Sequence, residues 1–148
     1  MLITFATTRS VNLPWPRERV WQIMHDLTLA PGQRWAAGPA PGEVGSTVLL
    51  ELPATGSSFD GLPVVYTSTV LQRTPGHMSS CRIVGPLLEQ REVWLLRDDP
   101  QGCAVSATAH VQASAAVYDE SCLQARTQQL LDYAIGQIMQ RGQHETAA

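Results

Sequence analysis

The chain has 148 residues, 44% of them hydrophobic and 16% charged, a formal net charge of −3, and ten basic residues that are all arginine. A chain of this length buries roughly 70% of the surface its unfolded form exposes, so residues 1–148 read as one domain that needs no disulfide or metal to fold. The missing lysine excludes a P-loop lysine and any lysine Schiff base, and mild acidity without a basic run argues against nucleic acid as a partner.

Ile3, Phe5, Thr7, Arg9, Val11 and Leu13 share one parity, which predicts a strand over residues 2–13. Pro14-Trp15-Pro16 breaks it, and Pro16 suits the start of a helix on which Val20, Ile23, Met24 and Leu27 fall at i, i+3, i+4 and i+7. Ala30-Pro31-Gly32 ends that helix. Residues 33–45, rich in Gly, Pro and Ala, read as a loop or short edge strand, with Trp35 plugging the sheet edge or lining a cavity mouth. Extended runs follow at 46–52, 62–73, 77–84, 88–97 and 103–113, separated by turn-forming Pro, Gly and Asp, and they imply an antiparallel meander. From about Tyr118 the period becomes helical. Leu123, Leu130, Leu131, Ala134, Ile135 and Ile138 make one stripe, Asp119 and Glu120 suit the first turn, and Arg141-Gly142 closes the helix ahead of a disordered tail from about residue 143.

Cys81, Cys103 and Cys122 lie far apart with no CxxC pair, which favours reduced thiols and a cytoplasmic setting. No secretory signal is visible, and no apolar run approaches the roughly 20 residues of a membrane span. No metal is expected: His77 and Cys81 are four apart on a strand, which separates them by about 13 Å. Ser57, Ser58 and Asp60 lack a GxSxG elbow, and no cysteine has a neighbour that clearly activates it, so no catalytic residue is assigned.

Strand, helix, meander and long terminal helix make an α+β arrangement. Over residues 2–141 the chain resembles the START-like superfamily, also called SRPBCC or polyketide cyclase/dehydrase-like. The resemblance rests on Val11-Asn-Leu-Pro-Trp-Pro-Arg-Glu-Arg-Val-Trp21, on Trp94-Leu-Leu, and on Gly102 before the last strand. It implies a helix-grip fold, a curved antiparallel sheet of six or seven strands wrapped around a long C-terminal helix, with a hydrophobic cavity between them and no cofactor. Members bind lipids, sterols or polyketides, cyclise aromatic polyketides, or act as chaperone-linked modules. Where the family has Gly-Thr before the last strand, this chain has Gly102-Cys103.

The last hairpin decides what faces such a cavity. A type I turn at Asp99-Pro100-Gln101 with Gly102 left-handed gives a three-residue loop in which residue 99 opposes 103. Val93, Leu95, Val105, Ala107, Ala109 and Val111 then share the inner face with Arg91. A four-residue loop would turn Trp94 and Glu92 inward instead, because a one-residue slip exchanges the faces; turn chemistry favours the first. On that register small Ala107 leaves room for a guest and Arg91 anchors its polar group. Arg9 shares the inner parity of its strand, so both arginines either meet an acceptor such as Glu89 or snorkel out at the sheet ends. Tyr66 and Tyr118 offer rings and hydroxyls where sheet and helix should meet, or are core tyrosines. The expected function is binding of an apolar or aromatic small molecule, lipid-like or polyketide-like, at Trp35, Tyr66, Arg91, Ala107 and Tyr118, by a monomer or homodimer. A polyketide cyclase or aromatase using Arg91, Tyr66 and Tyr118, and a chaperone-type or regulatory interaction module, are the alternatives.

Overall fold

Ile3 and Leu13, at the two ends of the first alternating run, are both buried, and the residues of their parity between them face inward. The computed structural model that shows this describes residues 1–26, 33–38, 43–53 and 63–147. Leu27, the helix break at Ala30-Pro31-Gly32 and the loop bearing Ser57, Ser58 and Asp60 lie outside the described residues. The elements run β1 (Leu2–Leu13), α1 (Arg17–Asp26), β2 (Gln33–Ala37), β3 (Thr47–Pro53), β4 (Pro63–Thr74), β5 (Met78–Gly85), β6 (Leu88–Asp99), β7 (Gly102–Ser114) and α2 (Glu120–Ala147). The strands form a seven-stranded sheet in the order β1-β7-β6-β5-β4-β3-β2. Each neighbouring pair is antiparallel. Residues 33–37 are therefore an edge strand, the second of the two readings of that segment.

α2 begins where Asp119 caps it, its Oδ2 accepting the backbone N–H of Cys122 at 3.0 Å, and that bond holds the Asp119 carboxyl below its ordinary range. Leu123, Leu131, Ile135 and Ile138 are buried, whereas Leu130 is 38% exposed, so the packed stripe omits Leu130. Two contacts fix how α2 is turned. Asp132 pairs with Arg9 of β1 at 3.0 Å, and Arg126 stacks over the Tyr66 ring of β4 at 5.2 Å. One flank of the helix thus meets the β1 edge, and the other, which carries Leu130, leans over the middle of the sheet.

The helix does not stop at Gly142. It continues to Ala147, with Glu145 paired to Arg141 at 2.9 Å and to Arg19 of α1 at 3.3 Å. Gly142 provides room rather than a turn, since a Cβ there would stand 2.5 Å from the Trp15 ring. α1 is held over the sheet end by Arg17, 3.4 Å from Asp98, and by Arg73 of β4, which stacks on Trp21 and reaches Nδ1 of His25 at 3.0 Å.

The β6–β7 hairpin differs from the favoured register. Asp99 pairs with Gly102 and Asp98 with Cys103, so the loop is only Pro100-Gln101, with the Asp99 carboxylate accepting the Gln101 N–H at 3.1 Å. Gly102 is drawn into the ladder because the chain passes close to β1: at φ +148°, a Cβ there would fall 2.2 Å from the Leu13 carbonyl oxygen. Trp94 consequently stands opposite Ala107, Glu92 opposite Ala109 and Leu96 opposite Val105. The face exchange assigned to a longer loop is the arrangement present, and Arg91 points outward.

Candidate functional site

Among the described residues the inward face carries two clusters of buried apolar side chains. One joins Leu13, Trp15, Val20, Ile23, Trp94 and Leu96 to Ala107 and Ala109 and to Leu131, Ile135 and Ile138 of α2. The other joins Ile3, Tyr66, Leu88, Val111, Ala113, Tyr118 and Leu123 near the start of α2. One cross-sheet row, Thr7, Ala109, Glu92, Cys81 and Val70, each the register partner of the next, borders the first core at Ala109 and runs on the side towards the second. Ala109 is fully buried, but the other four keep some solvent-accessible surface, as do Gln90 and Ser68 in the adjoining row.

The chemistry of this strip centres on Glu92. Its Oε1 accepts the indole N–H of Trp94 at 2.6 Å and its Oε2 accepts the side-chain amide of Gln90 at 3.0 Å. Desolvation raises its pKa, against the lowering effect of those two bonds. Cys81 is next to it on β5. Burial first, and then the Glu92 carboxyl, push that thiol up to about 12, although Ser68 hydrogen-bonds to it. A thiol held in this way is a small apolar wall and not a nucleophile.

The expected site residues divide among three places. Tyr66 and Tyr118 do come together, in the second core. The Tyr118 hydroxyl donates to the Pro86 carbonyl at 2.7 Å, and burial together with the neighbouring Tyr66 hydroxyl pushes it up to about 12. The Tyr66 hydroxyl is buried and faces that of Tyr118, without a well-directed hydrogen bond of its own among the described residues. Ala107 is fully buried between Arg9 and Trp94, beneath the packed half of α2. Arg91 lies on the outer face, exposed and opposite Arg82, and the Arg82 guanidinium is neutralised by Glu89 at 2.8 Å. Glu89 is therefore not an acceptor for an inward arginine; Arg82 holds it below the ordinary carboxylate range. Trp35 stands opposite Val48 in the edge pairing, and its side chain lies outside the described residues.

Gln90 and Cys81 were not read as site residues from sequence, and Glu92 was placed inward only in the register that was not favoured. The available signal was the spacing of Leu88, Trp94 and Leu96, the bulkiest apolar residues of their strand, which carry Glu92 inward with them.

No family model and no curated protein matches the chain. Solved structures do. The di-domain ARO/CYC protein StfQ from the steffimycin biosynthetic pathway is 8% identical with a TM-score of 0.71, covering 98% of this chain and 52% of its own. Ara h 8.0201 is 14% identical with a TM-score of 0.68, covering 95% of this chain and 97% of its own. The major latex-like protein 151 of Panax ginseng is 13% identical with a TM-score of 0.67, covering 93% and 97%. The chain has the START/SRPBCC-like helix-grip fold, a curved seven-stranded antiparallel sheet gripping a long C-terminal helix. Among the described residues no helix is long and apolar enough to cross a membrane.

Proposed function

We propose that this protein binds an apolar or aromatic small molecule, lipid-like or polyketide-like, between the inward face of the sheet and the middle of α2. The division of the interior into two cores carries this reading. A domain filled by its own side chains usually has one contiguous core, whereas among the described residues small and polar side chains that keep accessible surface lie where the two clusters approach each other. An apolar lining with a few polar groups is the usual composition of a ligand site. The fold shared with the ARO/CYC protein StfQ of the steffimycin biosynthetic pathway agrees with it.

Thermal shift tests the reading, because a ligand at 100 times its dissociation constant adds about 2.7 kcal/mol. Neutral polyphenols and fatty alcohols are the first compounds to screen. Ala107 is unsuitable for a blocking substitution, since Trp at that packed position would break the first core. Val70→Phe fills the strip instead, and should abolish the shift while the parent transition is kept. A failure of every compound to shift the parent protein would leave the interaction module as the better description. A cyclase or aromatase activity is favoured by one observation, the raised pKa of Glu92, which suits a general acid; turnover of a poly-β-ketone separates it from binding alone.

A further inference from the structure

Glu92 has hydrogen-bonding capacity that the protein does not use. One oxygen takes the Trp94 indole N–H and the other the Gln90 amide. No ion pair reaches it among the described residues. On β7 and β1 its row holds Ala109 and Thr7, which carry no charge. On β5 it meets Cys81, whose thiol stays neutral well above physiological pH. The inward arginines have other partners: Arg9 pairs with Asp132, Arg73 stacks on Trp21, and Arg126 of α2 stacks on Tyr66.

An ionised carboxylate without a cation is costly in such a place, and desolvation raises the pKa of Glu92 against the lowering effect of its two hydrogen bonds. A neutral carboxyl group has one O–H donor, and with both oxygens already accepting, that donor is what remains. A buried donor finds an acceptor in native proteins, and Glu92 keeps some accessible surface in the row it shares with Ala109 and Cys81. We propose that Glu92 presents its O–H to the bound molecule, so that the site selects neutral, carbonyl-bearing aromatic or apolar ligands and rejects both carboxylates and amines. A carboxylate ligand would enter a strip whose row, among the described residues, holds no cation, and an ammonium ligand would require Glu92 to ionise as well as its own desolvation. The proposal rests on the ligand-binding reading above and fixes its polar selectivity.

Four naphthalenes of one size test it by calorimetry against the intact chain: 2-acetonaphthone, 2-isopropylnaphthalene, 2-naphthoate and 1-(2-naphthyl)ethylamine. The ketone should bind about five- to tenfold more tightly than the hydrocarbon, as one net hydrogen bond allows, and the two charged compounds should bind more weakly than either. The advantage of the ketone should shrink as pH rises through the titration of Glu92, while the affinity of the hydrocarbon stays level. Glu92→Gln keeps an N–H donor, so the ketone should retain its advantage and lose its pH dependence; Glu92→Leu should remove the advantage. If either variant does not fold, the wild-type pH series decides. Equal binding of ketone and hydrocarbon at every pH overturns the proposal and leaves the ligand site standing. Preference for the amine, rising with pH, overturns it in favour of a carboxylate that binds cations. If even the hydrocarbon fails to bind the folded protein, the binding reading falls and takes the proposal with it.

Discussion

Gly85→Ala probes how the second core is built. Gly85 closes β5 opposite Leu88, and the Tyr66 ring lies on it so closely that a Cβ would stand 2.3 Å from both Cδ1 and Cε1. The backbone there is outside the left-handed region, so the cost of a side chain is purely steric. Two effects oppose each other. Alanine restricts the unfolded chain and gains about 0.4–1 kcal/mol, while overpacking costs about 1–3 kcal/mol and sometimes more. The contact lies far inside van der Waals distance, and Tyr66 is 1% exposed with Arg126 stacked on its ring, so the ring has nowhere to swing. The steric term belongs at the upper end, and the net loss should be about 2 kcal/mol. For a chain of this size that lowers Tm by about 4–8 °C. Circular dichroism melts of the parent, Gly85→Ala, Tyr66→Leu and the double variant measure it, and the double variant should lose less than the two single changes added together. An unchanged or raised Tm for Gly85→Ala would show that the ring does not rest on β5, and the second core would have to be redrawn.

Three further outcomes follow from the same packing. Leu131→Ala should cost about 2–5 kcal/mol and the neighbouring Leu130→Ala about 1 kcal/mol or less, as their exposures of 2% and 38% require; equal losses in urea melts would contradict the rotational setting of α2. Gly142→Ala gains up to about 1 kcal/mol of helix propensity yet drives a Cβ to 2.5 Å from the Trp15 ring, so it should lower Tm, and a more stable variant would refute that contact. Because the folded-state pKa of Glu92 is raised, its contribution to stability is complete below the unfolded value of about 4.5 and is lost as pH rises through the folded value. Denaturant melts from pH 4 upward should show a declining component that Glu92→Gln removes, whereas a variant with the parent's slope would mean that Glu92 folds already ionised.

Much of the fold was legible because periodicity reports burial directly. β1 occupies residues 2–13 as the alternation demanded, and the change to helical spacing near Tyr118 marks the cap at Asp119. The β6–β7 register was not legible, since turn residues alone cannot show what the turn packs against. Gly102 looked like a left-handed loop residue, but it pairs with Asp99 in the ladder at a point where the Leu13 carbonyl leaves no room for a side chain, a contact between residues far apart in sequence. Gly142 misled for the same reason, because the Trp15 ring that needs its missing side chain is distant in sequence. The candidate site was read less well than the fold, since it depends on that single register.

The slip of one residue changes more than which side chains face inward. It moves Arg91 out and Glu92 in, and so puts an acid where the other register would put a cation. It also raises the question of why an acid occupies this position. A leucine at position 92, facing Ala109 and flanked by Trp94, would join the two clusters into one core and remove the desolvation that now weakens the protein at neutral pH. The indole and amide bonds offset part of that cost. On the proposal above, a ligand carbonyl takes the remaining proton where the two clusters approach each other, so that space and polarity coincide at Glu92 and one guest completes both.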